Sequence, residues 1–136
     1  MGNVFAEITV KNALDVGLAR AGHITENNVR TVTLTAIVDT GATTLVISED
    51  IFNQLGLTVL EKRNINLAGG AKMECKVTDA VQIQWKNRFA VVSAVVMPEG
   101  KPLLGVIPLE FMDLIVDPIR RELVGANGDE ALLMAM

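Results

Sequence analysis

From Thr31 the chain alternates, with Thr31, Thr33 and Thr35 taking turns with Val32, Leu34 and Ala36. It then becomes wholly apolar at Ile37 and Val38 and ends on Asp39-Thr40-Gly41. Period-two alternation is the pattern of a half-buried strand. Its loss at Ile37 means that the strand runs into the interior and delivers a carboxylate there. A charged side chain is almost never fully buried unless paired, so Asp39 requires close donors or a second carboxyl sharing a proton. Gly41, without a Cβ, can bring its backbone N–H to that carboxylate, and the Thr40 hydroxyl can both donate and accept. Such a loop suits water activation between two aspartates. The plainer alternative is a β-turn, for which Asp and Gly are common.

The flanking segments read as β structure with few helices. Val4 to Val10 is β-branched enough for a first strand. Residues 11 to 28 are polar and carry Gly17, Gly22, Asn27 and Asn28, which predicts a hairpin-like excursion or loop. Leu45-Val46-Ile47 follows the Asp39 loop. Ser48 then caps a helix to Leu55, with Glu49 and Asp50 in its first turn and Gly56 closing it. Residues 57 to 67 and 72 to 85 form a long hairpin with Ala68-Gly69-Gly70-Ala71 at its tip. Phe89 to Val96 is apolar apart from Ser93, which predicts a strand buried on both faces. Leu103-Leu104-Gly105 is a further short strand, and its glycine is required if the strand passes close beneath the Asp39 loop. Pro108 is expected to open a short helix at its first position. Leu114 to Val116 and residues 119 to 124 read as two last strands.

Bulk properties narrow the function. The 136 residues can bury a real core but cannot house two lobes of ordinary size. A net charge of −4 gives no electrostatic footprint for nucleic acid or an anionic membrane. No segment reaches the length of a membrane span, and Met1 to Ala6 lacks the features of a signal peptide. Cys75 stands alone, which excludes an intrachain disulfide and a zinc-type cluster, so no metal or other cofactor is expected. These features point to a cytoplasmic protein. Cys75 is expected as a packing residue and His23 as a solvated loop side chain. Residues 1–124 are expected as the folded domain and 125–136 as a C-terminal tail, with the apolar Ala131 to Met136 disordered or packed on the body or a second subunit.

Asp39-Thr40-Gly41-Ala42 after an apolar pair resembles the active-site loop of the retropepsin-like aspartic proteases. The order of the following segments is also similar: a strand, a short helix, the Gly69-Gly70 hairpin and Leu103-Leu104-Gly105, so the resemblance covers roughly residues 4 to 124. It implies a mainly β fold, a closed antiparallel β-barrel-like domain with one or two short helices. It further implies an aspartic endopeptidase with Asp39 as the catalytic residue and Thr40 and Gly41 supporting the loop. Ala42, Ala68, Gly69, Gly70 and Ala71 would meet substrate, the last four as a flap. Leu103, Leu104 and Gly105 would thread under the loop.

With one Asp-Thr-Gly per chain, the dyad would need an identical subunit, making the partners a peptide or protein substrate and a second copy. Ile115-Val116-Asp117 echoes Ile37-Val38-Asp39, but Pro118 has no N–H to give and Ile119 replaces the glycine, so Asp117 is expected to be structural. Viral members place an acidic and a basic residue where Thr43, Thr44 and Val106 stand here. Together with the extra strand after Asp117, this places the expected likeness closer to cellular and bacterial members. The sequence leaves two alternatives to an endopeptidase: a catalytically silent peptide-binding or assembly module on the same fold, and an unrelated β-rich domain.

Overall fold

A computed structural model describes residues 2–128. Strand β1 (Val4–Asn12) leads into helix α1 (Ala13–Arg20), and β2 (Thr31–Val38) into β3 (Leu45–Ser48) and helix α2 (Glu49–Leu55). Then come β4 (Val59–Asn66), β5 (Lys72–Trp85), β6 (Arg88–Met97) and β7 (Leu103–Leu104). Helix α3 (Val106–Phe111) and the pair β8 (Leu114–Asp117) and β9 (Glu122–Gly125) complete the order. The main sheet runs β1-β2-β7-β3-β6-β5-β4, and an additional β1–β5 pairing closes it into a ring with β4 hanging outside. The protein is therefore mainly β and barrel-like. Its ladders are mostly antiparallel, with parallel contacts where β7 meets β2 and where β3 meets β6.

Inside the ring, Ile8, Val10, Ala36, Leu45, Ile47, Val81, Ile83, Ala94 and Leu104 form one core, joined from the helices by Leu55 and Leu109. Helix α2 follows its signals. The Ser48 Oγ accepts the Ile51 N–H at 3.3 Å, and Gly56 ends the helix in the left-handed region at φ 61°. A Cβ on Gly56 would also collide with the Arg30 guanidinium, which lies across it.

Three expectations change. Residues 13–20 are helical and not a loop, so the described residues hold three α-helices where one or two were expected. The cause is a polar cluster. Asn12 caps α1 by accepting the Asp15 N–H at 3.1 Å, while its Nδ2 donates to the Leu55 carbonyl at 2.9 Å. Asp15, buried, takes a two-pronged contact from Arg30, Nε at 2.8 Å and Nη2 at 2.9 Å, plus the Arg30 backbone N–H at 3.0 Å. The hydrogen bonds from Arg30 hold the Asp15 carboxyl below the usual carboxylate range, against burial, which acts the other way.

Strand β6 is not buried on both faces. Ala90, Ala94 and Val96 face the core, whereas Phe89 and Val91 remain 48% and 58% exposed because none of the described residues forms a layer over that side. Pro108 occupies the third position of α3 rather than the first, since the helix starts from Gly105.

At the far end, Arg88 is buried and donates to the carbonyls of Met112 at 3.0 Å, Asp113 at 2.8 Å and Gly128 at 2.8 Å, tying α3 and the last turn to the ring. The expected tail from Ala131 to Met136 lies outside the described residues. Among the described residues no helix is long and apolar enough to cross a membrane.

Candidate active site

Strand β7 makes the site possible. It inserts between β2 and β3, with Ile37 and Val38 opposite Leu103 and Leu104 on one side and Leu45 and Val46 opposite Leu104 and Leu103 on the other. The Asp39 N–H donates to the Leu104 carbonyl at 3.0 Å, so the Asp39 loop starts from a fixed backbone position. Past β7 the chain turns into α3, whose first N–H groups have no intrahelical acceptor. Gly105 offers no side-chain cap. The Asp39 loop supplies the acceptors instead: the Gly105, Val106 and Ile107 N–H groups donate to the carbonyls of Thr44, Ala42 and Thr43 at 3.0, 3.0 and 2.9 Å. The backbones therefore touch. A Cβ on Gly105 would lie 2.5 Å from both the Ala42 and Thr44 oxygens and 2.7 Å from the Thr44 nitrogen.

The carboxylate sits on this frame. Asp39 is half-buried, and its Oδ1 accepts the Gly41 N–H at 2.8 Å, while the Ala42 N–H closes the turn on the Asp39 carbonyl at 3.0 Å. Thr40 and Gly41 are exposed, and among the described residues the Thr40 hydroxyl has no partner. Thr44 reaches across to the ring, its Oγ1 donating to the Ser93 carbonyl at 2.8 Å.

Asp39 opens into a cleft of about 1260 Å³. Val46, Leu103, Ile107, Val91 and Val95 form its floor and one wall, and the other is formed by Leu60 and Ile65 of β4 with Leu67 just beyond it. Leu60, Val91 and Ile107 remain 64%, 58% and 48% exposed, which is apolar surface available to a ligand. Of the expected substrate residues, Ala42 and Ala68 line the cleft, while Gly69, Gly70 and Ala71 do not border it. The tip is a tight turn closed by the Leu67 N–H on the Ala71 carbonyl at 2.7 Å, with Gly69 and Gly70 both at φ 86° in open space. Its glycines are needed for their backbone angle and not for room.

The remaining candidates sort out by contact. Asp117 Oδ1 accepts the Ile119 and Arg120 N–H groups at 3.0 and 3.2 Å, so this carboxylate holds the β8–β9 turn. His23 is exposed beyond α1. Cys75 is 2% exposed, its Sγ 3.4 Å from the Met97 Sδ, and burial pushes its thiol up. Among the described residues no group of three or more His, Cys, Asp or Glu is placed to hold a metal ion. The apolar cleft wall was not anticipated from sequence, because Val91 reads as core when its ligand face is unknown.

Comparison with known proteins agrees with this geometry. EIAV protease complexed with the inhibitor HBY-793 shares the fold at a TM-score of 0.51, with 21% sequence identity over 76% of this chain and 82% of that one. Comparison with curated proteins finds no match. The family model described as aspartyl protease matches residues 21–111, more than half of the chain and the whole span from before β2 to the end of α3. The chain belongs to the aspartyl protease family and has the retropepsin-like fold.

Proposed function

We propose that the protein is an endopeptidase that hydrolyses extended peptides with water activated by two aspartates, one Asp39 from each subunit of a homodimer. The observation that carries this reading is the Asp39 carboxylate itself. It stands in an apolar-walled cleft, is held by a single backbone donor on Oδ1, and keeps its other oxygen without a partner among the described residues. The second carboxylate that the sequence echoes, Asp117, is occupied by its own turn and does not line the cleft. A two-fold axis through the exposed Thr40-Gly41 face would bring a second Asp39 to the first. Two such carboxyls share one proton. One takes a proton from a bridging water while the other polarises the peptide carbonyl, and the proton then passes to the leaving amine. Thr40 hydroxyls would brace the paired loops, and the β4–β5 hairpins would close over an extended substrate through backbone hydrogen bonds.

The test is Asp39→Asn. The amide is isosteric but can neither take the water's proton nor share one, so a folded dimer without cleavage of a diverse peptide library across pH is expected. Cleavage that survives the substitution removes the mechanism. A wild-type dimer that binds peptides without cleaving them supports instead a silent binding module on this fold. Light scattering that finds an active monomer removes the shared dyad.

A further inference from the structure

The β4–β5 hairpin leaves the ring at a definite residue. Strand β6 pairs with β5 from Trp85 opposite Arg88 as far as Lys76 opposite Val96. From Cys75 to Lys72, β5 is ladder-paired with β4 alone among the described strands, the Cys75 side chain still packing on Met97 at the end of β6, and β4 ends the sheet order. Lys76 is thus the root of the free part of the hairpin. Its Nζ lies 2.6 Å from the Glu49 Oε1 and 5.2 Å from the centre of the Phe52 ring. Both partners belong to α2. That helix is anchored in turn: Leu55 is fully buried and its carbonyl is bonded to Asn12, while Glu49 follows directly on Ser48, the last residue of β3, the strand that leaves the Asp39 loop.

We propose that Lys76 is a positioning residue for substrate binding, clamping the root of the hairpin to α2 through Glu49 and Phe52 and so setting the width of the cleft between β4 and Asp39. The proposal rests on the endopeptidase reading for its kinetic consequence but not for its structural one. Lys76 itself does not line the cleft, so it acts only through the hairpin, whose residues Arg63, Ile65 and Leu67 do. The stem beyond the β6 ladder, from Lys76 to Lys72, spans about 13 Å at strand rise, so a tilt of about 10° at the root moves its end by about 2 Å. That displacement is enough to lose backbone hydrogen bonds to a bound peptide. A second contact makes this more than a surface ion pair. The cation is held from one side by charge and from another by a ring face, which fixes its direction as well as its distance.

The experiment uses the full chain and compares Lys76→Met, which keeps the aliphatic stem, with Lys76→Arg, which keeps both contacts. For a cleaved peptide, Lys76→Met should raise KM about threefold to tenfold and leave kcat within about twofold, with Lys76→Arg close to wild type. Glu49→Gln should raise KM similarly, and the double variant Lys76→Met/Glu49→Gln should be no worse than either alone. Hydrogen exchange read by mass spectrometry follows the hairpin without reference to catalysis. Lys76→Met should speed exchange across residues 60–75 and leave 81–96 unchanged. Unchanged exchange in the hairpin, or a fall in kcat with KM unaltered, would overturn the clamp. A wild-type protein that cleaves nothing, combined with faster hairpin exchange in Lys76→Met, would remove the peptidase reading and leave the clamp standing.

Discussion

Gly105→Ala is the sharpest test of how the site is held together. The added Cβ would lie 2.5 Å from two backbone oxygens and 2.7 Å from a backbone nitrogen, none of which can rotate away as a side chain would. Either the Asp39 loop or the start of α3 must move. Overpacking of a tight site costs about 1–3 kcal/mol. Movement also weakens the three hydrogen bonds from Gly105, Val106 and Ile107 to the loop carbonyls, each worth about 0.5–1.5 kcal/mol. If half of that is lost, the sum is about 3 kcal/mol. For a chain of this length such a loss lowers Tm by roughly 10 °C. Thermal unfolding followed by circular dichroism measures it, with Gly69→Ala as the control. Gly69 is in open space at φ 86°, so its substitution carries only the backbone penalty of about 1 kcal/mol. A Gly105→Ala protein that melts within about 2 °C of wild type, or no lower than Gly69→Ala, would refute the argument from close backbone contact.

Two further outcomes are expected. Because Arg30 holds the Asp15 carboxyl below its ordinary range in the folded state, the unfolded chain takes up that proton first as pH falls. The pair's contribution is thus present above about pH 4 and disappears as pH drops through the folded value, and Asp15→Asn should cost about 1–2 kcal/mol in urea unfolding at pH 7 and progressively less as pH falls below about 4; a cost that stays constant with falling pH would contradict the ionic origin. At Thr40, Ser should be tolerated while Val, similar in shape without the hydroxyl, should weaken dimer and activity together. Sedimentation and peptide cleavage that treat the two substitutions alike would remove the bracing role.

The parts legible in the sequence are those where one local signal and the tertiary fold agree. Thr31 to Val38 alternates and then turns inward because β2 does so, and Ser48 and Gly56 mark the two ends of α2 by cap chemistry that is local. The close approach at Gly105 was also legible, through the family order of segments rather than through Gly105 alone. Helix α1 was not. Its buried face is carried by Asp15, a residue that reads as solvent-facing until Arg30, distant in sequence, is seen to pair with it. Strand β6 misleads in the opposite direction. Val91 lines the cleft and is 58% exposed, and periodicity cannot distinguish an apolar side chain that faces a cleft from one that is packed in the core.

The insertion of β7 between β2 and β3 has a consequence in time. The carbonyls of residues 42–44 find their donors only in residues 105–107, and Asp39 is fixed through Leu104. Contacts between segments so far apart form late, because the entropy of closing the intervening loop is lost before they reward it. During synthesis the Asp39 loop emerges long before the segment that sets it, and a growing chain that stops short of α3 holds the aspartate without its frame. The frame around Asp39 is therefore complete only after residues 104–107 have been made and have docked between β2 and β3.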